Sequence, residues 1–491
     1  MPSMTKKDRT LFTIISILLV LCTGYLMMTL IQLKILPPRF LFLLTAFLCT
    51  LDTLLILLQH KVLQKTWKRW VCAVSAILVA ISSGFIGFSI QSTQVMLEQI
   101  SGISHSASMV SVIVKESSSY QKIQDLQGRS IGVLRTISRN KTDRCLEAIR
   151  ELKVDFDEQN YDSLVNLLQA FYAGQVESVI LPESSRSNVT DMEAYANFNQ
   201  NTRVIFQKEV DLKDTMQSDA VDDVTKNPFN VLITGSDSRT GIQDTGRSDV
   251  NMIVTINPTT HKILLTSIPR DYYVKTVCDV DDGCQNGAMD KLTHTGLNGT
   301  NTTKMTLENL FGIKINYSFK VGFESVQEVV DALGGIDVDI PQEAAVGKNV
   351  QNDGFHIEAG LQHLDGKTAL RFSRERYAYA SGDRQRTRNQ QIVLMGIINQ
   401  IKSPSILVNY TSLLNALGDS FQTNLSRDEI AALVQFQLDQ NPSWTIEQFM
   451  VDGTGEQLMC AELGNAAYVM VPNQETVKTA IQKINTVLDG N

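Results

Sequence analysis

Two polar clusters interrupt ordinary apolar patterns in the second half of the chain. The first reads GSDSRTGIQDTGRSDV and then SIPRD, setting Asp237, Arg247, Asp249 and Arg270 at the ends of β-like runs. The second, ALRFSRERYAYASGDRQRTRNQQ, gathers Arg371, Arg374, Arg376, Arg384, Arg386 and Arg388. Arginine presents a rigid fork of donors matched to phosphate oxygens, and several together can hold a diphosphate against its own repulsion. Two nearby carboxylates supply the hard oxygen ligands that Mg2+ or Mn2+ takes. Together these types point to phosphoryl transfer, in which positioning and charge neutralisation supply most of the catalysis. A solvated helix face with turn-capping aspartates would use the same residues without chemistry, and spacing alone leaves that alternative open. The alternating pairs Arg374/Arg376 and Arg384/Arg386/Arg388 share a face only where the chain is extended, and diverge on a helix. No G-x-x-x-x-G-K loop accompanies them, which argues against a nucleoside triphosphate.

The elements that must position these groups follow from periodicity. Residues 229–234, 250–257 and 262–268 are β-rich runs, 326–333 is helical with Gly334 and Gly335 as its stop, and 336–340 is a strand ended by Pro341. A helix resumes over 388–401 with Ile392, Met395, Ile398 and Ile401 on one face. Before them, 111–114, 130–134 and 177–181 read as strands and 143–152 and 163–172 as helices, an alternation that marks a smaller α/β module. Its strings IQDLQGRSIGVL and SLVNLLQAFYAGQVESVIL resemble one lobe of extracellular solute-binding proteins. Residues 211–227, rich in Asp, Ser and Lys, read as a linker.

At 491 residues there is room for about three domains. Hydrophobic residues at 43% against 20% charged exclude disorder as the dominant state. The net charge of −8 hides an asymmetry: nine Lys/Arg against two Asp/Glu up to Gln94, or +7, leaves −15 for the remainder. A mostly acidic chain argues against a nucleic-acid binder acting through bulk charge. Three apolar runs, 11–33, 40–58 and 71–90, are each long enough to cross a bilayer, and three in succession do not fit a cleavable signal peptide. Lys6, Lys7 and Arg9 precede the first, and Lys61, Lys65, Lys68 and Arg69 separate the second from the third. The positive-inside bias puts the N-terminus in the cytoplasm and everything after Ile90 outside. Asp52, inside the second run, is expected to pack against another helix. Outside the membrane a disulfide can persist, so Cys278 and Cys284, flanking DVDDG, are candidates for one. His294 in KLTHTG reads as structural as readily as catalytic.

With these strings in view, the sequence resembles the LytR-CpsA-Psr family, and most of all its capsule-type members with three spans and an extra extracellular domain. The resemblance rests on NVLITGSDSR, GRSDVNMIVTINP, LTSIPRDYYV, DKLTHTG, VVDALGGIDVDIP, GLQHLDGKTALRFSRER and GDRQRTRNQQ, in family order from Asn230 to Gln391. It implies a multi-pass protein of the bacterial cell membrane with its bulk extracellular. The expected parts are a membrane anchor (1–94), an accessory α/β domain with linker (95–225) and an α/β catalytic domain whose central mixed sheet is flanked by helices (226–491). It further implies a phosphotransferase moving capsular polysaccharide from a polyprenyl-pyrophosphate carrier to peptidoglycan, with other capsule-assembly proteins as candidate partners. Teichoic-acid attachment, carrier pyrophosphate hydrolysis and a membrane-bound regulator of capsule synthesis are the alternatives. Motif by motif, Asp237 and Asp249 match the metal-linked aspartates that would hold Mg2+ or Mn2+. Arg247, Arg270, Arg374, Arg376 and Arg386 match the arginines around the pyrophosphate, Arg384 is an accessory cation, and Asp383 and Gln390 match their polar partners. Arg247, Arg270, Asp383 and Arg386 are the catalytic candidates. For the apolar tunnel that the family implies for the lipid tail, the candidates are Phe311, Val321, Phe323, Val329, Leu333 and Val393.

Overall fold

A computed structural model describes residues 6–62, 65–101, 106–212, 216, 218–238, 241–278, 284–322, 325–347, 355–401 and 421–490. Three helices, α1 (Lys6–Leu33), α2 (Pro38–Leu57) and α3 (Thr66–Ile100), are long and apolar enough to cross a membrane. Phe12, Ile15 and Leu19 of α1 meet Ala73, Ala76 and Ala80 of α3, whose small side chains let the helices approach closely. Asp52 is buried and accepts a hydrogen bond of 2.7 Å from Thr23 Oγ1, which joins α2 to α1.

The accessory domain is a five-stranded sheet of β1 (Ser106–Lys115), β2 (Arg129–Leu134), β3 (Phe156–Tyr161), β4 (Ser178–Pro182) and β5 (Thr202–Leu212), in the order β3-β2-β4-β1-β5. Helices α4 (Arg139–Glu151) and α5 (Leu164–Ala173) cover it. Ser163 caps α5 by accepting from Asn166 N–H, and Gly174 ends it in the left-handed conformation a glycine adopts at least cost. Two short helices, α6 (Arg186–Thr190) and α7 (Phe198–Asn201), lead into β5. The expected linker is only partly one: Asp211 and Leu212 finish β5, and Val221 and Val224 pack into the next domain.

That domain opens with β6 (Phe229–Ser236), β7 (Ser248–Asn257) and β8 (Lys262–Ile268), followed by the ribbon β9 (Tyr273–Lys275) and β10 (Met289–Lys291). Then come α8 (Leu292–Thr295), α9 (Thr300–Phe311), β11 (Tyr317–Gly322), α10 (Ser325–Ala332) and the ribbon β12 (Ile336–Ile340) with β13 (Gly360–Leu364). The remainder comprises α11 (Gly366–Arg374), α12 (Asp383–Ile401), β14 (Phe421–Thr423), α13 (Arg427–Gln440), β15 (Thr445–Met450), β16 (Gly453–Cys460), β17 (Asn465–Pro472) and α14 (Gln474–Leu488). A mixed six-stranded sheet runs β14-β11-β6-β7-β8-β15. Alternation along its strands makes two cores. Leu232, Ile253 and Leu264 face α9 and α14, whereas Val231, Met252, Val254 and Leu265 face α12 and α13.

The three parts touch. Lys34 and Arg39, in and beside the α1–α2 connection, pair with Asp428 and Asp439 of α13 at 3.1 and 2.9 Å. Leu33 and Ile35 pack on Ala431, with Phe421 alongside. The accessory domain shares a core with the β16–β17 hairpin through Leu463 and Val469. Lys141 Nζ, fully buried, donates to Leu297 O at 2.6 Å.

Cys278 and Cys284 are disulfide-bonded across a sequence separation of 6. Closing so short a loop in the unfolded chain is worth about 2 kcal/mol. Replacing both by serine should lower stability by that amount, measured by thermal unfolding. Non-reducing peptide mapping should show the linked pair in the native protein.

Candidate active site

Strands β6, β7 and β8 are antiparallel neighbours, so the end of β6, the start of β7 and the end of β8 lie at one edge. That places Asp237, Arg247, Asp249 and Arg270 together although 33 residues separate the first from the last. Gly246 is required there: a Cβ would lie 2.6 Å from Ser236 Oγ and 2.7 Å from Ser238 N. Arg374 ends α11, Arg376 follows it, and the first turns of α12 add Arg386 and Gln390, four apart and so on one helix face. These residues line a pocket of ≈ 660 Å³ that holds five arginines and, among the described residues, the three carboxylates of Asp191, Asp237 and Asp249.

The charges are interlocked. Arg247 donates from its backbone N–H to Asp237 Oδ1 at 2.6 Å and from Nε to Oδ2 at 2.8 Å, while Nη1 is ion-paired with Asp191. Asp249 Oδ1 accepts from Arg270 Nη1 at 3.1 Å and from Thr293 Oγ1 at 2.8 Å. Asp383 pairs with Arg386 and lies 3.9 Å from Arg270 Nε. Burial alone would raise the Asp249 carboxyl, but Arg270 and Arg247 outweigh it and hold it below the ordinary carboxylate value. Burial would lower Arg247, and Asp249, Asp237 and Asp191 together hold it above its usual value. Arg386 goes the other way: burial depresses it, Asp383 restores part, and repulsion from Arg270 and Arg376 leaves it lowered. An arginine depressed by burial and by other arginines gains from an anion. The Nε atoms of Arg270 and Arg386 are buried without a hydrogen bond, two donors that an anion could take up.

An apolar cavity of ≈ 270 Å³ adjoins this pocket, between the sheet and helices α10 to α12. Arg374 and Gln390 line both spaces, so a polar head site opens directly into an apolar one. Phe421 also lines it and packs near Leu33 and Ile35, at the end of α1 and just after it. Val321, Val329 and Val393 line this cavity as expected.

Three expectations need correction and one cannot be placed. Phe311 is buried against Leu307 and Ile315 in the core on the opposite face of the sheet, because α9 covers that face. Leu333 follows α10 and packs on Ile336 and Val330, behind the cavity wall. Arg384 belongs elsewhere: two helical positions from Arg386, it turns about 200° away and pairs with Asp452 at 2.7 Å. Phe323 lies outside the described residues. Sequence reasoning missed Thr293, which steadies Asp249, and Asp191. Asp191 comes from the accessory domain, 56 residues before Arg247, and no local pattern signals it. His294 is structural in its contacts. Its Nδ1 sits 2.7 Å from Asp290 Oδ1, and the second Asp290 oxygen accepts Glu462 N–H at 2.8 Å.

Residues 194–485 match the model of the LytR_cpsA_psr family. The chain belongs to that family. A polyisoprenyl-teichoic acid–peptidoglycan teichoic acid transferase TagU of Bacillus anthracis is 34% identical over 220 residues, 44% of this chain and 68% of that protein. The TagU of Enterococcus faecalis is 33% identical over 233 residues, 47% and 72% of the two chains. Among solved structures, Bacillus subtilis TagU aligns with a TM-score of 0.41 at 29% identity, over 54% of this chain and 97% of that one. The LytR_cpsA_psr match takes in every arginine and aspartate of the pocket except Asp191.

Behind the pocket, burial and the neighbouring Asp290 push the Glu462 carboxyl up to about 7, against the opposing pull of His294 and Lys141. Its folded form binds a proton more tightly than the unfolded chain, so stability falls as pH rises from about 4.5 through 7. Glu462 keeps some exposure, which discounts the effect to about 2 kcal/mol. Glu462→Gln should therefore stabilise the protein by about that much at pH 8 and by little at pH 5. Equal gains in thermal melts at both pH values would reject the displaced carboxyl.

Proposed function

We propose that this LytR_cpsA_psr protein is a membrane-anchored phosphotransferase that moves a wall glycopolymer from a polyprenyl-diphosphate carrier to peptidoglycan. It is an enzyme of the glycopolymer–peptidoglycan transferase type. The observation that carries the reading is the junction at Arg374 and Gln390, where a cationic pocket meets an apolar cavity. A diphosphate head with a hydrocarbon tail matches both halves; a nucleotide matches only the first. The relatives named for teichoic acid transfer favour a teichoic acid as the polymer over the capsular polysaccharide expected from the sequence. Capsular polysaccharide is the second reading, favoured by the three apolar helices and the accessory domain, and other capsule-assembly proteins are partners under that reading alone. The cations before α1 and between α2 and α3 favour an external site, with the anchor in the bacterial cell membrane.

In this reading Arg247, Arg270, Arg374, Arg376 and Arg386 clamp the diphosphate and neutralise the charge that grows on the leaving phosphate. Gln390 donates at the seam between head and tail, and Asp383 holds Arg386 and Arg270 in place. Asp237 and Asp249 would hold Mg2+ or Mn2+. Two carboxylates facing a phosphate pocket are the donor set such an ion uses when substrate oxygens complete its shell. Among the described residues no group of three His, Cys, Asp or Glu side chains could hold an ion by itself, so further oxygens would have to complete its shell. When bound, the ion would add further neutralisation of phosphate charge.

Removing the Arg374 or Arg376 fork should cost about 2–4 kcal/mol of transition-state stabilisation, a drop of roughly a hundred- to a thousandfold. Lysine should rescue only in part, because a point charge cannot reproduce a two-pronged contact. The assay is the fraction of glycopolymer covalently attached to purified wall, with transcripts of the polymer's genes measured alongside. Lost attachment with unchanged transcripts supports the transferase. Normal attachment with altered transcripts would favour a regulator. Asp237→Ala and Asp249→Ala should each abolish Mg2+-dependent transfer, and each should lower the melting transition because it leaves a buried arginine without its carboxylate; full activity in both would remove the metal.

A further inference from the structure

The accessory domain reaches into the arginine pocket. Helix α6 ends at Asp191, whose carboxylate is ion-paired with Arg247. Beside this contact a second cleft, of ≈ 190 Å³, opens between the two domains. It shares Asp191, Arg247 and Arg270 with the arginine pocket, and none of its lining residues lines the apolar cavity. The cleft and the lipid cavity are therefore separate approaches to one set of arginines. Its other walls mix donors and acceptors, with Asn188 from the accessory domain facing Lys291, Thr293 and Asn465. Such a lining suits a polyhydroxylated ring better than a lipid or a bare phosphate.

We propose that this inter-domain cleft is the acceptor site, which takes a hydroxyl-bearing sugar of peptidoglycan, and that Asp191 orients the attacking hydroxyl and receives its proton. The proposal rests on the transferase reading above. In-line displacement needs the nucleophile and the leaving group on opposite sides of the phosphorus. With the tail in the apolar cavity, polyprenyl phosphate leaves on the Arg374 side and the acceptor arrives on the Asp191 side. The acceptor oxygen forms a bond to the phosphorus that carries the glycopolymer. The bond from that phosphorus to the bridging oxygen breaks, its electron pair stays on polyprenyl phosphate, and the hydroxyl proton passes to Asp191. Asp191 is the suited carboxylate because it is 61% exposed, against 11% for Asp237 and 9% for Asp249. Asp237 already spends both oxygens on Arg247, and Asp249 spends one on Arg270 and Thr293. Asn188, Asp191 and Met192 all precede residue 194, where the family match begins, so this wall belongs to the accessory part of the chain.

The test uses the full chain in lipid nanodiscs, a synthetic polyprenyl-diphosphate-linked teichoic acid precursor as donor and soluble peptidoglycan fragments as acceptor. Asp191→Asn, nearly isosteric, should lower kcat for transfer by roughly a hundredfold, the scale of a lost proton acceptor, while the donor KM holds. Asp191→Glu should restore part of the rate. Ala467→Trp, which fills the cleft from β17, should raise the acceptor KM at least tenfold with the donor KM unmoved. A wild-type kcat in Asp191→Asn overturns the proposal, and so does a raised donor KM, which would make Asp191 a positioning residue for Arg247. An unchanged acceptor KM in a folded Ala467→Trp also overturns it; should that variant not fold, Asp191→Asn decides alone. Failure of the wild type to transfer from this donor and from a capsular one alike would sink the transferase reading and the cleft with it.

Discussion

Several guanidinium groups held close together repel one another, and that repulsion is the constraint around which this domain is built. Arg386 carries part of it: burial depresses its pKa most, and Arg270 and Arg376 push it down further against the pull of Asp383. Carboxylates relieve the repulsion only locally: Asp237 and Asp191 take up Arg247, and Asp249 takes up Arg270. Such a cluster does not hold itself in place. It is carried by strand ends whose register is set by the buried alternation of Leu232, Ile253 and Leu264 on one face and Val231, Met252 and Val254 on the other. The two cores provide the rigidity, and the edge between them carries the charge.

The same layering explains why an apolar cavity sits where it does. On the face covered by α12, Gly235 and Gly322 leave the sheet low beside Val250 and Val321, and the helices bridge over the gap. Filling it with side chains would have made ordinary core. Left open, it is lined by both Arg374 and Phe421, and Phe421 packs near the end of α1. Lys34 and Arg39 tie α1 and α2 to α13 by exposed ion pairs, each worth little alone. Leu33, Ile35 and Ala431 add an apolar contact between the same elements.

How far the sequence could be read depended on whether a signal was local. Strand 336–340 and the strands beginning at Phe229 and Lys262 were legible because burial on one or both faces leaves a periodic trace. Helix α12 begins at Asp383, five residues before the start expected at 388, because its first turn holds polar and charged residues that carry no apolar period. Phe311 shows the limit of hydrophobicity as a guide: it is apolar and buried, but nothing local says which face of the sheet it covers. Arg384, an accessory cation by resemblance, diverges from Arg386 because that stretch is helical, as the spacing allows. Asp191 was invisible for a different reason, since its partner lies in another domain and only the docked structure brings them together.

The electrostatics also separate what should respond to pH from what should not. Asp249 is held below, and Arg247 and Arg270 above, their ordinary values, so all three keep their charge across the neutral range. Arg386, although depressed, remains an arginine and stays protonated. This part of the pocket therefore offers a diphosphate the same field at pH 6 as at pH 8. Glu462 is the displaced carboxyl that titrates near neutrality, and it sits behind His294 at the seam with the accessory domain rather than in the pocket. Its ionisation places a charge among Asp290, His294 and Lys141, of which Lys141 reaches across from the accessory domain to Leu297 O.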